Sequence, residues 1–294
     1  MNRLDLPVFD NDAALDELAN NALLASHPHL LPYVDAIKLG YAQYQAAQGN
    51  AHAVLNIALP ANIGGFLKGH YASPPKVIEF IDRLRDEGEI NTCPMCGSFF
   101  SGTLDHIFPK EDFAVFAIFG LNLVPACKCN SRRGTALIGP GPGERVLHPY
   151  FDDVLDQRLL GAHFEDLGQA PLTSIQLLID PADADYAAVA YHYRRIVMRT
   201  RIADFMRRSW SKLIVRPSNI AMELRHNPQT RGDLEEVLER QREREDDVAE
   251  SRNNWKSVFL TGLLEDEVVD WMFDHLSRPG RDPDGALLPE EEPT

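Results

Sequence analysis

Thr92–Gly97 reads TCPMCG, Gly102–Lys110 reads GTLDHIFPK and Leu121–Thr135 reads LNLVPACKCNSRRGT. All four cysteines of the 294-residue chain fall in these segments, as Cys93-x2-Cys96 and Cys127-x-Cys129. Two close thiol pairs brought together across an intervening segment can close a tetrahedral shell around Zn2+ with no open position, the layout of a structural site. With no cysteine elsewhere, the spacing argues for reduced thiolates and against disulfides. Asp105-His106, Asn122 and Asn130 add one carboxylate, one imidazole and two amides. That set is too rich in oxygen for a second structural zinc. It suits a hard, partly hydrated ion such as Mg2+ or Mn2+, with a histidine left to move a proton.

LDHIFPK, LNLVPAC and CNSRRG together resemble the HNH (ββα-metal) endonucleases of the zinc-containing kind, in which a hairpin delivers Asp-His, a loop the middle Asn and a helix the last residue. Carried over residue by residue, the resemblance implies that His106 is the general base activating a water and Asp105 a metal ligand. Asn122 would orient the imidazole through its side-chain amide, and Asn130 would be the second metal ligand. Arg132 or Arg133 would neutralise a phosphate near the helix start. The roles fit the chemistry: phosphodiester hydrolysis needs a water deprotonated near neutral pH and a cation to stabilise charge on the phosphorane and leaving oxygen.

One departure concerns the second thiol pair, which in the family is usually CxxC and here is Cys127-Lys128-Cys129. Either a tighter turn keeps four zinc ligands, the favoured reading, or one cysteine is displaced. The alternative to a nuclease is a zinc ribbon that only holds a scaffold or adaptor. DNA is the expected substrate by family analogy alone, with RNA left open. An HNH unit between large helical flanks in an acidic chain also resembles effector subunits of bacterial anti-phage systems, in which a partner such as an ATPase controls cutting.

Composition places the chain among globular proteins: 44% of its residues are hydrophobic and 25% charged. Neither a run of about 18 apolar residues nor a signal-peptide core is present, so no membrane association and a cytoplasmic location are expected. The net charge of −15 is awkward for a nucleic-acid enzyme, because phosphate binding depends on Lys and Arg. Much of the acid, however, sits in Asp233–Glu250 and Glu290–Glu292, whereas Lys110, Lys128, Arg132, Arg133 and Arg145 gather near the cysteines.

Further out, Leu30, Val34, Ile37, Tyr41 and Tyr44 recur at helical spacing and predict a helix over 32–47, and Ser73-Pro74 starts a second with Val77, Phe80, Ile81 and Leu84 inward and Gly88 as its stop. His27 and His29 read as structural or exposed. The Gly139–Gly143 run ends the motif, and His148 in the following HPYFDD is a candidate phosphate ligand or second proton donor, Asp152 a weaker one. Residues 159–165 and 172–179 predict a hairpin. From Asp183 the pattern turns helical: Val189, Ile196, Ala203 and Trp210 recur every seven residues, with Arg194, Arg201 and Arg208 on nearly the opposite face. That stripe either tracks a nucleic-acid backbone or pairs with the acidic helix expected over 233–251. Pro217 breaks the basic helix, and Trp255, Phe259, Leu263, Val268 and Trp271 make a closing helix or helix pair.

The expected architecture is α+β and mostly α-helical. It has a helical region over 1–90, a zinc-stapled ββα nuclease core over 91–153, a mainly helical region over 154–277 and a disordered acidic tail over 278–294.

Overall fold

The computed structural model describes residues 1–86, 91–99 and 102–287. Helices dominate, with two small antiparallel sheets, which makes the class mostly helical α+β. Helices α1 (Asn11–Asn20), α2 (Val34–Ala46), α3 (Ala61–Ala72) and α4 (Phe80–Asp86) precede strand β1 (Thr103–His106). The Asp10 carboxylate caps α1 by accepting from Ala13 N at 2.9 Å. The helix expected over 32–47 is α2, entered through a 3-10 turn at Leu31–Tyr33. The second expected helix is α4, after a 3-10 turn at Lys76–Ile78; its expected stop at Gly88 lies outside the described residues.

Strand β2 (Leu123–Ala126) pairs antiparallel with β1, Thr103 opposite Ala126 and His106 opposite Leu123, and the single-turn helix α5 (Cys129–Arg132) follows at once. The connection between the strands carries Phe108, Phe116 and Phe119, which pack around the Tyr44 ring of α2 with centroids 5.0, 4.9 and 5.2 Å away. Edge-on aromatic contacts of this kind add to the burial of large apolar rings. A first core thus unites the N-terminal helices with the β1–β2–α5 unit.

A second core lies in the C-terminal half. The expected hairpin is β3 (Leu160–Glu165) paired with β4 (Leu172–Leu177). It packs against α7 (Ile202–Val215) and α9 (Trp255–Leu263), and α8 (Arg231–Ala249) packs on α9 and on α10 (Asp266–Leu276). The expected closing pair is α9 and α10.

Two expectations are corrected. The helix expected to run on from Asp183 is broken: α6 (Tyr186–Arg195) ends, a 3-10 turn covers Val197–Arg199, and α7 begins at Ile202. The Thr200 hydroxyl donates to Val197 O at 2.6 Å and accepts from Ile202 N, holding Thr200 extended, so Arg194 and Arg201 do not share one helical face. The tail is also ordered as far as Leu287. Asp284 engages Arg216 and Ser218, Arg281 donates to Asn227 Oδ1 at 2.5 Å, and Leu287 is buried in the second core. Its acidic end, 288–294, lies outside the described residues.

Candidate metal centre and histidine site

The four cysteine sulfurs come together. All lie within 4.8 Å of one another, with Cys93 Sγ 3.7 Å from Cys129 Sγ and Cys96 Sγ 3.5 Å from Cys127 Sγ. A Zn–S length of about 2.3 Å in a tetrahedron sets sulfur–sulfur edges of about 3.8 Å, so the cluster fits a metal ion such as zinc. The short Cys127-x-Cys129 turn does not displace a ligand, because α5 starts at Cys129 and swings its sulfur back toward Cys93. Cys127 N donates to Cys93 Sγ and Cys129 N to Cys127 Sγ, at 3.3 and 3.4 Å. Hydrogen bonds from Cys129 and the other thiols, with help from the Ser98 hydroxyl, push the Cys127 thiol well below its ordinary range, which favours the thiolate.

The first knuckle is gripped from the C-terminal half. Gly97, at φ +75°, leaves room for Asn253 O, which a Cβ would meet at 2.0 Å. Trp255 N donates to Gly97 O at 3.1 Å and Trp255 Nε1 to Cys96 O at 2.8 Å. His192, on α6, accepts from Leu147 N at Nδ1 and places Nε2 2.6 Å from Met95 O. The centre is therefore built into the joint between the two cores.

At the other end of β1, His106 is 3% exposed. Its Nε2 lies 2.9 Å from Ala117 O, which sets Nε2 as the protonated nitrogen and leaves the Nδ1 lone pair without a hydrogen bond among the described residues. The Tyr71 ring packs on the imidazole at 4.3 Å, and Tyr71 is crowned by Arg85 and Lys110 at 4.8 and 5.3 Å. Burial, chiefly, lowers the His106 pKa to about 4, so the ring is neutral at neutral pH. Asp105 Oδ1 accepts from His106 N at 2.8 Å.

Asn122 does not touch the His106 ring. Its amide latches the β1–β2 connection: Phe108 N donates to Oδ1 at 2.7 Å, and Nδ2 donates to Phe108 O and Phe116 O at 3.0 and 3.1 Å. The Tyr44 hydroxyl donates to the same Oδ1 at 3.2 Å and meets His148 Nε2 at 2.9 Å. His148 is fully buried, accepts from Tyr150 N, and is lowered to about 3 by burial; it is closed off from solvent and from any phosphate arriving there. Asp152 is spent on Arg145, 2.6 Å away through both oxygens, and on His148 N.

Asn130 and Arg133 form a clamp. Asn130 Nδ2 donates to His106 O at 3.0 Å, Arg133 Nε donates to Asn130 Oδ1 at 2.6 Å, and Arg133 also donates to His106 O, Ile107 O and Ala136 O. A guanidinium at 2.6 Å from the amide oxygen repels a second cation there, so Asn130 does not fit the role of metal ligand. Arg133 is buried and four of its five N–H donors are taken, which removes it from phosphate contact. Among the described residues, the four cysteines are the one group of three or more Cys, His, Asp or Glu close enough to share an ion. Of the two side chains expected to hold a second ion, Asn130 is thus engaged by Arg133, while Asp105 accepts from the His106 amide.

Of the remaining cations, Arg194 pairs with Glu144 at 2.5 Å and Lys110 with Glu111 at 3.4 Å. The acidic helix α8 takes Arg158 and Lys256 as partners instead of the arginine stripe. Arg132, Arg201 and Arg208 converge on one hollow beside the cysteines. Tyr71 and the Ala117 carbonyl, which hold the imidazole, left no trace in the spacing of the sequence: one lies on a distant helix and the other is a backbone atom. No helix of the described residues is long and apolar enough to cross a membrane. Compared with protein-family models, curated proteins and solved structures, the chain matches none.

Proposed function

We propose that the chain is a zinc-stapled endonuclease that hydrolyses DNA phosphodiester bonds, with zinc on Cys93, Cys96, Cys127 and Cys129 and with His106 as general base. The observation that carries this reading is the His106 ring, fixed at Nε2 by Ala117 O and open at Nδ1, beside Asp105 on a strand anchored to the thiol cluster. A neutral imidazole with one nitrogen fixed and the other free can take a proton from an attacking water. The zinc site supplies rigidity, since a closed four-thiolate shell has no position for substrate. Asp105 would meet a divalent ion arriving with the substrate phosphate, a common mode for Mg2+. Asn122, Asn130 and Arg133 hold the strand carrying His106.

A second reading is a zinc-held scaffold, favoured by the burial of His106 and by the commitment of both asparagines to backbone carbonyls. Nicking of supercoiled plasmid with Mg2+, Mn2+ or EDTA, beside His106→Ala and metal analysis, separates the two. An enzyme loses about a hundredfold or more of its rate in the variant while keeping its zinc. A zinc-loaded protein that cuts nothing under any ion is either a nuclease waiting for its partner or the scaffold, and a pull-down from the native host decides which.

A further inference from the structure

Beside the thiol cluster lies a hollow of about 490 Å³ whose lining includes Phe99, Trp255, Lys128, Arg132, Arg201 and Arg208. In a chain with 44 acidic and 29 basic residues, no carboxylate lines it. None of its four cations is ion-paired among the described residues. Arg132 donates to Arg199 O and Arg208 to Asp204 O, both backbone carbonyls, so their charges stay uncompensated. All four are exposed. A zinc tetrathiolate carries a net charge of about −2, so these cations exceed what the cluster itself would neutralise.

The wall is aromatic. Phe99 is 44% exposed and meets Phe205 and Trp255 at 5.2 and 6.2 Å between centroids. Trp255 is held by its bond to Cys96 O, which makes the back wall rigid. Thr103 also lines the hollow and, by the alternation of a strand, shares a face of β1 with Asp105 about 7 Å further on.

We propose that this hollow binds one unpaired base of a nucleic-acid strand against Phe99, with the flanking phosphates on Arg201, Arg208, Arg132 and Lys128. Stacking on an aromatic platform inside a cationic groove is how single strands are held without sequence readout, whereas a paired duplex cannot insert a base. The substrate class rests on the nuclease reading; the binding test does not.

The test is fluorescence anisotropy of a short labelled oligothymidylate against the zinc-loaded full chain carrying His106→Ala, so that nothing is cut. Binding should weaken about tenfold or more in Phe99→Ala and in the Arg201→Ala/Arg208→Ala double variant. Arg207→Ala, one residue away but paired with Asp204, should change it less than about twofold. The double variant should also show a shallower salt dependence. All four positions are exposed, so loss of fold does not mimic the result. The proposal is overturned if the matching duplex binds as tightly as the single strand, if thymidine monophosphate displaces the oligomer at equal concentration, or if the variants bind like their parent. Wild-type protein that binds in this pattern yet cuts nothing, alone or with the proteins it captures from its native host, would end the nuclease reading and leave the site standing.

Discussion

Arg133 shows how much one side chain can hold in the region of His106. Burial pushes its pKa down to about 10, which still leaves it charged at neutral pH, and all of its bonds go to the carbonyls of His106, Ile107 and Ala136 and to Asn130 Oδ1. Burying a guanidinium is tolerable only when its donors are satisfied this fully. Arg133→Met should therefore destabilise the protein by about 3 kcal/mol or more, because several buried acceptors lose their donor together. Arg133→Lys should recover little of it, since an ammonium lacks the planar fork that reaches two successive carbonyls. Denaturant midpoints decide the matter: a lysine variant within about 1 kcal/mol of the parent would mean that charge matters there and geometry does not. The same residue explains why the roles assigned from the motif shifted. Asn122, Asn130 and Arg133 were visible as polar residues at meaningful spacing, but most of their partners are backbone groups, which leave no mark on residue identity.

At the level of elements, the second core depends on close backbone approach between a helix and a strand. Gly262 lets α9 lie directly on β3; a Cβ there would meet Ala162 O at 2.5 Å and Ala162 Cβ at 2.8 Å. Gly262→Ala should cost about 2–3 kcal/mol through overpacking, read as a fall in melting temperature, and an unchanged melt would show that the helix can shift without loss. The thiol knuckle works similarly as a joint, tied to α6 by His192 and to α9 by Trp255. Stripping the metal with a strong chelator should then alter the emission of the tryptophans, all of which lie in the C-terminal half, although none ligates the ion. Tryptophan emission that ignores chelation would show that the second core stands without the centre.

Elements with a local signal were legible in the sequence: α2, the β3–β4 hairpin, α9 with α10, and the convergence of the cysteines. The break between α6 and α7 was not, because the apolar seven-residue repeat runs through it without glycine or proline. It is a threonine hydroxyl bonding its own backbone that stops the helix. The folded-back segment before Leu287 was hidden by its composition, since Pro, Gly and Asp read as disorder unless a partner such as Arg216 happens to wait for them.

For the whole molecule, acid should be strongly destabilising. His106, His148 and His192 sit in the cores or at their joint, and burial lowers them to about 4, 3 and 4 from an ordinary 6.5. In the folded chain these rings stay neutral through pH 5, whereas in the unfolded chain they take up protons below 6.5. The unfolded state therefore binds more protons across this window, so stability is full above about pH 6.5 and is lost as pH falls toward the folded values. At pH 5 each ring contributes a loss of about 2 kcal/mol, and the set roughly 6 kcal/mol, comparable with the whole stability of many domains. Melting curves between pH 7 and pH 5 should then drop by roughly 10 °C or more. Zinc content followed in parallel keeps thiolate protonation out of the comparison, because only points with the metal in place are counted. A melting temperature that stays level across that range with zinc bound would mean that these rings open to solvent and gain their protons in the folded state, and the burial assigned to His106 would have to be abandoned with it.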